Sequence, residues 1–375
     1  MNIIKNNTSN VMYYNVKSER LLRSEDVVRS NEFLSKIRNV KLQEFVNNGM
    51  DQSFNPSRYN PIAELIPIPP NSWWKLNCNT FSQIENKVKT KSNHFTEKLN
   101  NTIKDFTICV ELSGGLDTSI VIGFLLKNNI NVLPIGFLSS KYEFRTEVFI
   151  QNLFSSMLNK TILLPDEEYY PFSRLKQCPI HPIPKCSSLF YYSNFAVAKK
   201  AYENRCQIVL SGVGGDALLC DTVSVSLSQN PIKPWEIYDP WPNDFVYMPI
   251  GVKYVSAFAV PSVFHEIIRL RNGHPEDVFK MWARDYFRDV LPPELVHYAY
   301  KADHCGVWRC GLYENKMEIL EIIKEGIEFS GCREIDIGEI ERSIDSSHLL
   351  NDDMIKLLFF TISYCVWVRQ CFVMP

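Results

Sequence analysis

The sequence predicts an α/β fold: a parallel sheet with helices on both faces, a helical C-terminal part and a short N-terminal α+β domain. Short apolar segments typical of buried strands alternate with helical segments between Thr107 and Leu210. One glycine-rich loop follows the first of these strands, and a second follows the last. Beyond about residue 255 the pattern is helical, and it ends in a long apolar helix, Met354–Cys371.

The predicted elements follow one another at the spacing of β-α-β units. They are, in order, strand Thr107–Leu112, helix Ser119–Lys127, strand Val132–Phe137, helix Glu147–Leu158, strand Thr161–Leu164, helix Leu189–Asn204 and strand Gln207–Leu210. In such a sheet, ligands bind at the carboxyl ends of the strands. Both glycine-rich loops occupy that position.

The length allows two domains or one large domain with an extension. The chain has 375 residues, and we place a boundary near residue 100, giving an Asn-rich domain over 1–100 and a second domain over 101–375. In the first domain, Ile66–Leu76 is typical of a strand, a Pro-Pro-Asn turn and a second strand.

Charge and hydropathy exclude several classes of function. The formal net charge of −2 gives no electrostatic footprint for nucleic acid. Met1–Asn10 is polar and does not resemble a secretion signal. The most apolar tract, Met354–Val373, is interrupted by Lys356 and Arg369, which favours a buried helix over a membrane span. We therefore expect a cytoplasmic protein without membrane partners, whose 11 cysteines are mainly reduced core residues.

The first glycine-rich loop, Ser113–Ser119 (SGGLDTS), has the features of a phosphate site. Its two glycines allow close approach of the backbone, and the helix that follows offers N-terminal amides to an anion. Asp117 would repel phosphate unless a cation lay between them, which implies Mg²⁺. The alternative is a tight strand-to-helix turn. The loop lacks the Gly-Lys-Ser/Thr of a Walker sequence.

The second glycine-rich loop, Ser211–Asp216 (SGVGGD), ends in another carboxylate. Asp216 and Asp117 together could hold the Mg²⁺ of MgATP. An ordinary glycine turn is the alternative for this loop alone. A third feature is Leu291–Leu295 (LPPEL) followed by Lys301, for which a helix start with a surface lysine is the alternative.

In this order the three features resemble the synthetase domain of the asparagine synthetase-like, ATP-pyrophosphatase (PP-loop) family. That family includes β-lactam synthetases and lasso-peptide macrolactam synthetases, and the similarity covers roughly residues 105–310. It implies a ligase that adenylates a carboxylate, releases pyrophosphate and transfers the acyl group to an amine. Ile66–Leu76 also resembles the hairpin that ends the family's N-terminal glutaminase-like domain.

The resemblance implies a role for each matching residue. The residues that would bind ATP and its pyrophosphate are Ser113, Gly114, Gly115, Leu116, Asp117, Thr118, Ser119, Gly212 and Gly214. Asp117 and Asp216 would bind Mg²⁺, and Lys301 would stabilise the transition state of adenylation and the tetrahedral intermediate.

The chain departs from the family at two places. Glutamine-using members expose a cysteine as the mature first residue, whereas here Met1 precedes Asn2. We therefore expect an enzyme independent of glutamine. Val213 stands where asparagine synthetases carry a glutamate and β-lactam synthetases a tyrosine that acts on the amine, and valine cannot accept a proton. The acidic residues of Trp235–Tyr247 are one possible replacement.

These departures favour a biosynthetic amide, lactam or macrolactam over asparagine as the product. The substrate would be a small molecule or a peptide, and residues 1–100 could bind a carrier or partner protein. Two alternatives remain open. SGGLDTS also occurs in argininosuccinate synthetases, although near their N-terminus, and a catalytically degenerate homologue could serve as a binding or scaffold subunit.

Overall fold

The structure is a computed structural model. In the first hundred residues it describes the backbone of six strands, and beyond them it describes Ile103, 106–141, 144–181, 184–219, Asp239, 241–271, 279–297, 305–330, 335–347 and 352–373. Lys301 and, within Trp235–Tyr247, Glu236 lie outside the described residues.

A parallel sheet forms the centre of the described part beyond residue 100. Its strands are β7 (Ile108–Glu111), β8 (Val132–Leu138), β9 (Ile162–Pro165), β10 (Ile208–Ser211) and β11 (Lys253–Ser256). They lie in the order β11-β10-β7-β8-β9, and each neighbouring pair is parallel. The predicted α/β class with a parallel sheet is therefore confirmed.

Helices surround this sheet. They are α1 (Leu116–Lys127), α2 (Arg145–Met157), α3 (Tyr191–Glu203), α4 (Gly215–Leu219), α5 (Pro261–Arg271), α6 (Met281–Tyr286), α7 (Pro293–His297), α8 (Cys305–Glu314), α9 (Lys316–Ser330), α10 (Ile337–Asp345) and α11 (Asp352–Val373). Short 3-10 turns occupy Asp166–Glu168, Leu175–Gln177 and Cys186–Phe190, and a π-helical turn, Asn243–Tyr247, precedes Met248–Ile250. The predicted helical C-terminal part is confirmed for the described residues.

Strand β11 was not predicted, because it lies where the sequence begins to look helical, near residue 255. It has four residues and pairs with β10 at the edge of the sheet. Only Tyr254 and Ser256 of this strand are buried, so its sequence lacks the continuous apolar run of a central parallel strand. Helix α1 also begins earlier than predicted, at Leu116. Asp117, Thr118 and Ser119 consequently belong to its first turn.

Alternation along the strands divides the core into two layers. Cys109 and Val209 face one cluster, which also contains residues of α3, α9 and α11. Ile108 and Leu210 face the other cluster, with residues of α1, α2 and α5. Because successive side chains of a strand point to opposite faces, this division shows that helices cover both faces of the sheet.

The strands of the first hundred residues form two further sheets. They are β1 (Asn2–Asn6), β2 (Met12–Asn15), β3 (Arg20–Leu22), β4 (Leu65–Ile68), β5 (Ser72–Asn77) and β6 (Thr80–Gln83). The two strands predicted within Ile66–Leu76 are present as β4 and β5. They do not form a hairpin, because β4 pairs with β2 in one antiparallel sheet and β5 pairs with β1 and β6 in another. The Pro-Pro-Asn segment therefore connects two sheets.

Helix α11 is a long, largely apolar helix, and it is deeply embedded. The Trp367 indole is fully buried and donates a hydrogen bond from Nε1 to the His181 carbonyl, 3.0 Å away. Cys109, Cys178 and Cys371 are buried thiols without disulfide bonds, as expected for core residues. In the described residues, no helix is both long enough and apolar enough to cross a membrane.

Candidate active site at the junction of two glycine-rich loops

The sheet order brings the two glycine-rich loops together. The chain runs outward from β7 through β8 to β9, and then returns to the other side of β7 to form β10. Val110 of β7 and Leu210 of β10 are paired across the strands although they are 100 residues apart. Strand order therefore reverses at this pair, and such a reversal leaves a crevice at the carboxyl ends where ligands bind.

The first loop is organised by its own hydroxyl groups. Ser113 Oγ accepts a hydrogen bond from the Gly115 amide at 3.1 Å and lies 2.8 Å from Thr118 Oγ1. Ser119 Oγ donates to the Gly115 carbonyl at 2.7 Å, and the Ser119 side chain is fully buried. In the structure described, Thr118 and Ser119 therefore fix the turn, and Leu116 is buried beneath it.

Gly114 is required by the backbone of this loop. Its φ of +81° is a left-handed conformation, and a Cβ there would lie 2.3 Å from the Glu147 carbonyl oxygen. Gly115, at the start of α1, makes no side-chain capping hydrogen bond. An uncapped helix start, entered from a glycine turn, is a favourable place for an anion because the amides and the helix dipole point toward it.

The second loop lies directly against the first. A Cβ at Gly212 would be 2.7 Å from the Thr118 amide nitrogen, and a Cβ at Gly215 would be 2.4 Å from the Asp117 carboxyl group. Gly214 adopts a left-handed φ of +89°. Gly212 therefore lets the two loops pack closely, and Gly215 leaves room for the Asp117 carboxyl group.

Contact between the loops brings Asp117 and Asp216 close to one another. The cation between them is the ammonium group of Lys280, whose Nζ lies 2.5 Å from Asp117 Oδ1 and 2.7 Å from Asp216 Oδ1. The side-chain exposures are 7% for Lys280, 17% for Asp117 and 59% for Asp216. The pair of carboxylates thus opens to solvent on the Asp216 side.

Sequence reasoning missed Lys280. It lies 163 residues after Asp117, in a segment that matches no glycine-rich loop. Its backbone is left-handed, with φ of +56°, immediately before α6. The sequence feature that could have indicated it is a lysine within the apolar run Val278–Trp282 (VFKMW). Such a lysine is expected to be buried, and a buried lysine requires a carboxylate partner.

Glu111 was also missed. It is the last residue of β7 and is partly exposed, while the three residues before it are buried. Desolvation raises the pKa of Glu111 to about 7, against hydrogen bonds from Ser211 and Tyr254 that lower it. The signal was a glutamate in the otherwise apolar strand segment TICVEL. This carboxyl group lies beside the base of the second loop.

Among the acidic residues of Trp235–Tyr247, Asp239 has other contacts. Asp239 accepts hydrogen bonds from Ser187 Oγ at 2.5 Å and from the Trp241 amide at 3.1 Å, and it lies 3.7 Å from Lys185 Nζ. Desolvation lowers the pKa of the buried Lys185, and Asp239 opposes that effect. These contacts favour a structural role for Asp239, in keeping with a rigid aromatic loop.

The segment leading to Lys301 is described up to its final residues. Helix α7 begins at Pro293, as the alternative interpretation of Leu291–Leu295 predicts, and Leu291 and Leu295 are buried. Lys301 itself is outside the described residues, so its assigned role stays a prediction. No protein-family model and no curated protein matches the chain.

Proposed function

We propose that the chain is an ATP-dependent ligase of the PP-loop type. It converts a substrate carboxylate to its adenylate, releases pyrophosphate and transfers the acyl group to an amine. The observation that carries this proposal is the convergence of Asp117 and Asp216 on one cation where the strand order reverses. Two neighbouring carboxylates at a helix start repel each other, and they would also repel a phosphate anion, unless a cation lies between them.

The phosphate-binding role of the first loop is supported by its geometry. Gly114 and Gly115 present backbone rather than side chains at the start of α1, and Ser113 and Thr118 place hydroxyl groups beside them. Those groups suit the oxygens of a polyphosphate. The buried Ser119 is assigned to the loop's structure, because its hydroxyl is bonded to Gly115.

The residues present fit Mg²⁺. Among the described residues, no group of three or more His, Cys, Asp and Glu side chains is placed to hold a metal ion. Mg²⁺ usually takes only one or two protein carboxylates and completes its octahedron with water and substrate phosphates, and Asp117 with Asp216 meets that requirement. When bound with ATP, the ion would neutralise charge on the phosphates.

Lys280 and Lys301 would supply the protein's own positive charge. Lys280 already lies between the carboxylates, so an arriving metal ion would free its ammonium group for the phosphate oxygens. Lys301 keeps the role implied by the resemblance, stabilising negative charge on the α-phosphate and later on the former carbonyl oxygen. A fixed ammonium stabilises such charge better than water because it needs no reorganisation.

We assign amide formation, in a natural product or a modified peptide, as the reaction's outcome. The amine would be free or part of the substrate. Residues 1–100 would recognise the substrate or a partner protein.

The products of ATP cleavage test the proposal. We expect AMP and pyrophosphate in ³¹P spectra when Mg²⁺, ATP and candidate acids are supplied as mixtures of amino acids and short peptides. Asp117→Asn and Asp216→Asn should each reduce turnover by at least 10²-fold, about the loss seen on removing one stabilising group in an active site. Asp345→Asn, at an ion pair of α9 and α10, is the control. ADP as the stoichiometric product would refute the assignment.

A further inference from the structure

Glu111 has no part in the proposed binding of ATP, yet it lies at the edge of the sheet where the candidate site is. It ends β7, and the next residue but one, Ser113, begins the first glycine-rich loop. On its other side, β7 is paired with β10, whose final residue is Ser211. Its position is therefore at the carboxyl end of the two central strands, where both loops begin.

The contacts of Glu111 lead to the second loop. Ser211 ends β10 beside Glu111, and its hydroxyl accepts a hydrogen bond from the Val213 amide at 3.1 Å. Ser256 Oγ donates to the Val213 carbonyl at 2.6 Å. Both backbone groups of Val213 are thus held, and its apolar side chain is 47% exposed. The Val213 side chain at the tip of this loop therefore offers no proton acceptor.

The surroundings of Glu111 make it a usable base. Among the residues that the structure describes, the titratable groups near it are Tyr254 on β11 and Cys109 on its own strand, and both are buried. Its hydrogen bonds come from neutral hydroxyl groups, in contrast to Asp117, Asp216 and Asp239, which are paired with lysines. A pKa of about 7 leaves a carboxylate that is basic enough to accept a proton and is still largely ionised at slightly alkaline pH.

We propose that Glu111 is the general base that deprotonates the amine substrate, an inference that rests on the proposed ligase function. An ammonium group R-NH₃⁺ transfers one proton to the Glu111 carboxylate. The freed nitrogen lone pair forms the C–N bond at the acyl carbon of the adenylate, and the bond from that carbon to the phosphate oxygen breaks, releasing AMP. The nitrogen loses a second proton to solvent, and Glu111 then returns its proton to water.

The choice of amine isolates this step. Hydroxylamine is mostly unprotonated at neutral pH, so its reaction with the acyl adenylate needs no initial deprotonation. Methylamine, like the lysine ammonium, is almost entirely protonated there. Wild type, Glu111→Gln and Glu168→Gln should be assayed with both amines, using ATP, Mg²⁺ and mixtures of amino acids and short peptides as acids. Glu168 is exposed and follows β9 of the same sheet, which makes it a matched control.

With Glu111→Gln we expect hydroxamate formation close to the wild-type rate and methylamide formation reduced by roughly 10²–10⁴-fold, the usual contribution of a general base. The wild-type rate with methylamine should also rise with pH and level off above about 7, whereas the rate of the variant should follow the fraction of free methylamine, which keeps rising about tenfold per pH unit. Equal loss with both amines, or no loss, would overturn the assignment. If the wild-type protein forms neither product and releases no pyrophosphate, the proposed ligase function is refuted, and the proposed role of Glu111 is refuted with it.

Discussion

Lys280 is the residue that most alters the expected site. It connects two carboxylates that come from different loops, and its side chain is almost fully buried. A buried ammonium is costly unless it is paired. We therefore interpret Lys280 as the internal cation that keeps Asp117 and Asp216 together before a metal ion binds.

Lys280→Met should destabilise the protein in the absence of Mg²⁺, because two facing carboxylates would lose their cation. We expect a loss of roughly 1–3 kcal/mol, below the full penalty for a broken buried pair, since Asp216 is 59% exposed. Mg²⁺ should recover part of this loss by binding the folded state. The measurement is thermal unfolding in EDTA and in Mg²⁺.

Lys316→Met provides the control for that experiment. Lys316 also joins two carboxylates, Glu341 at 2.9 Å and Asp345 at 2.8 Å, but in an exposed position away from the loops. Its replacement should change stability much less and should not create a response to Mg²⁺. A Lys280→Met protein that unfolds identically with and without Mg²⁺ would contradict our interpretation.

Glu111 should make stability depend on pH. Its pKa is about 7 in the folded protein and near 4.5 when unfolded, so the folded state binds more protons between these values. Wild-type stability attributable to this group therefore falls as pH rises from 4.5 to 7 and stays low above pH 7. Glu111→Gln removes that loss and should gain up to roughly 3 kcal/mol at pH 8, with no gain near pH 4. Urea unfolding at the two pH values checks this, and a gain of equal size at both would exclude the titration.

At the scale of elements, the contact between the two glycine-rich loops determines the site. Gly212→Ala would place a Cβ 2.7 Å from the Thr118 amide nitrogen, which belongs to the backbone and cannot move aside easily. We expect a loss of about 1–3 kcal/mol in stability, as for other overpacked positions, and a larger loss of ATP affinity. Gly338→Ala is the control, since its Cβ would meet only the ends of flexible side chains, Asp336 Oδ1 at 3.2 Å and Arg342 Nη1 at 3.5 Å. Unchanged ATP binding by a folded Gly212→Ala protein would show that loop contact is dispensable.

The sequence predicted elements better than the contacts between them. Apolar runs and helical periodicity located β7 to β10 and α11, because burial of strands and helices leaves a local pattern. The edge strand β11 was not predicted. Its residues Lys253 and Val255 are not buried, and they interrupt the continuous burial that is typical of a central strand. Pairing is not local either, and so Ile66–Leu76 suggested a hairpin where the structure has strands of two sheets.

The same distinction applies to the candidate site. Asp117 and Asp216 could be predicted because each follows a glycine-rich strand end, and parallel strands end at one edge. Lys280 could not, because its partner is 163 residues away and no spacing rule connects them. Glu111 was not predicted for a different reason. A single acidic residue in an apolar strand can equally lie at a solvent-exposed edge or act as a buried base.

At the scale of the whole molecule, the fold and the site agree. Parallel strands with helices on both faces provide two loops at a reversal of strand order, and both loops carry carboxylates. The C-terminal helix α11 supports this arrangement from one face through Trp367 and the core cluster that contains Val209. Our central claim is that this site activates a carboxylate through reversible transfer of AMP.

Exchange of labelled pyrophosphate into ATP tests that claim most directly, because it reports the adenylation step without requiring the amine. The wild-type protein should catalyse exchange that depends on both Mg²⁺ and an added acid, supplied as amino acids and short peptides. Asp117→Asn should abolish this exchange, and Glu111→Gln should preserve it. ATP hydrolysis to ADP without exchange, or exchange that survives in Asp117→Asn, would contradict the account.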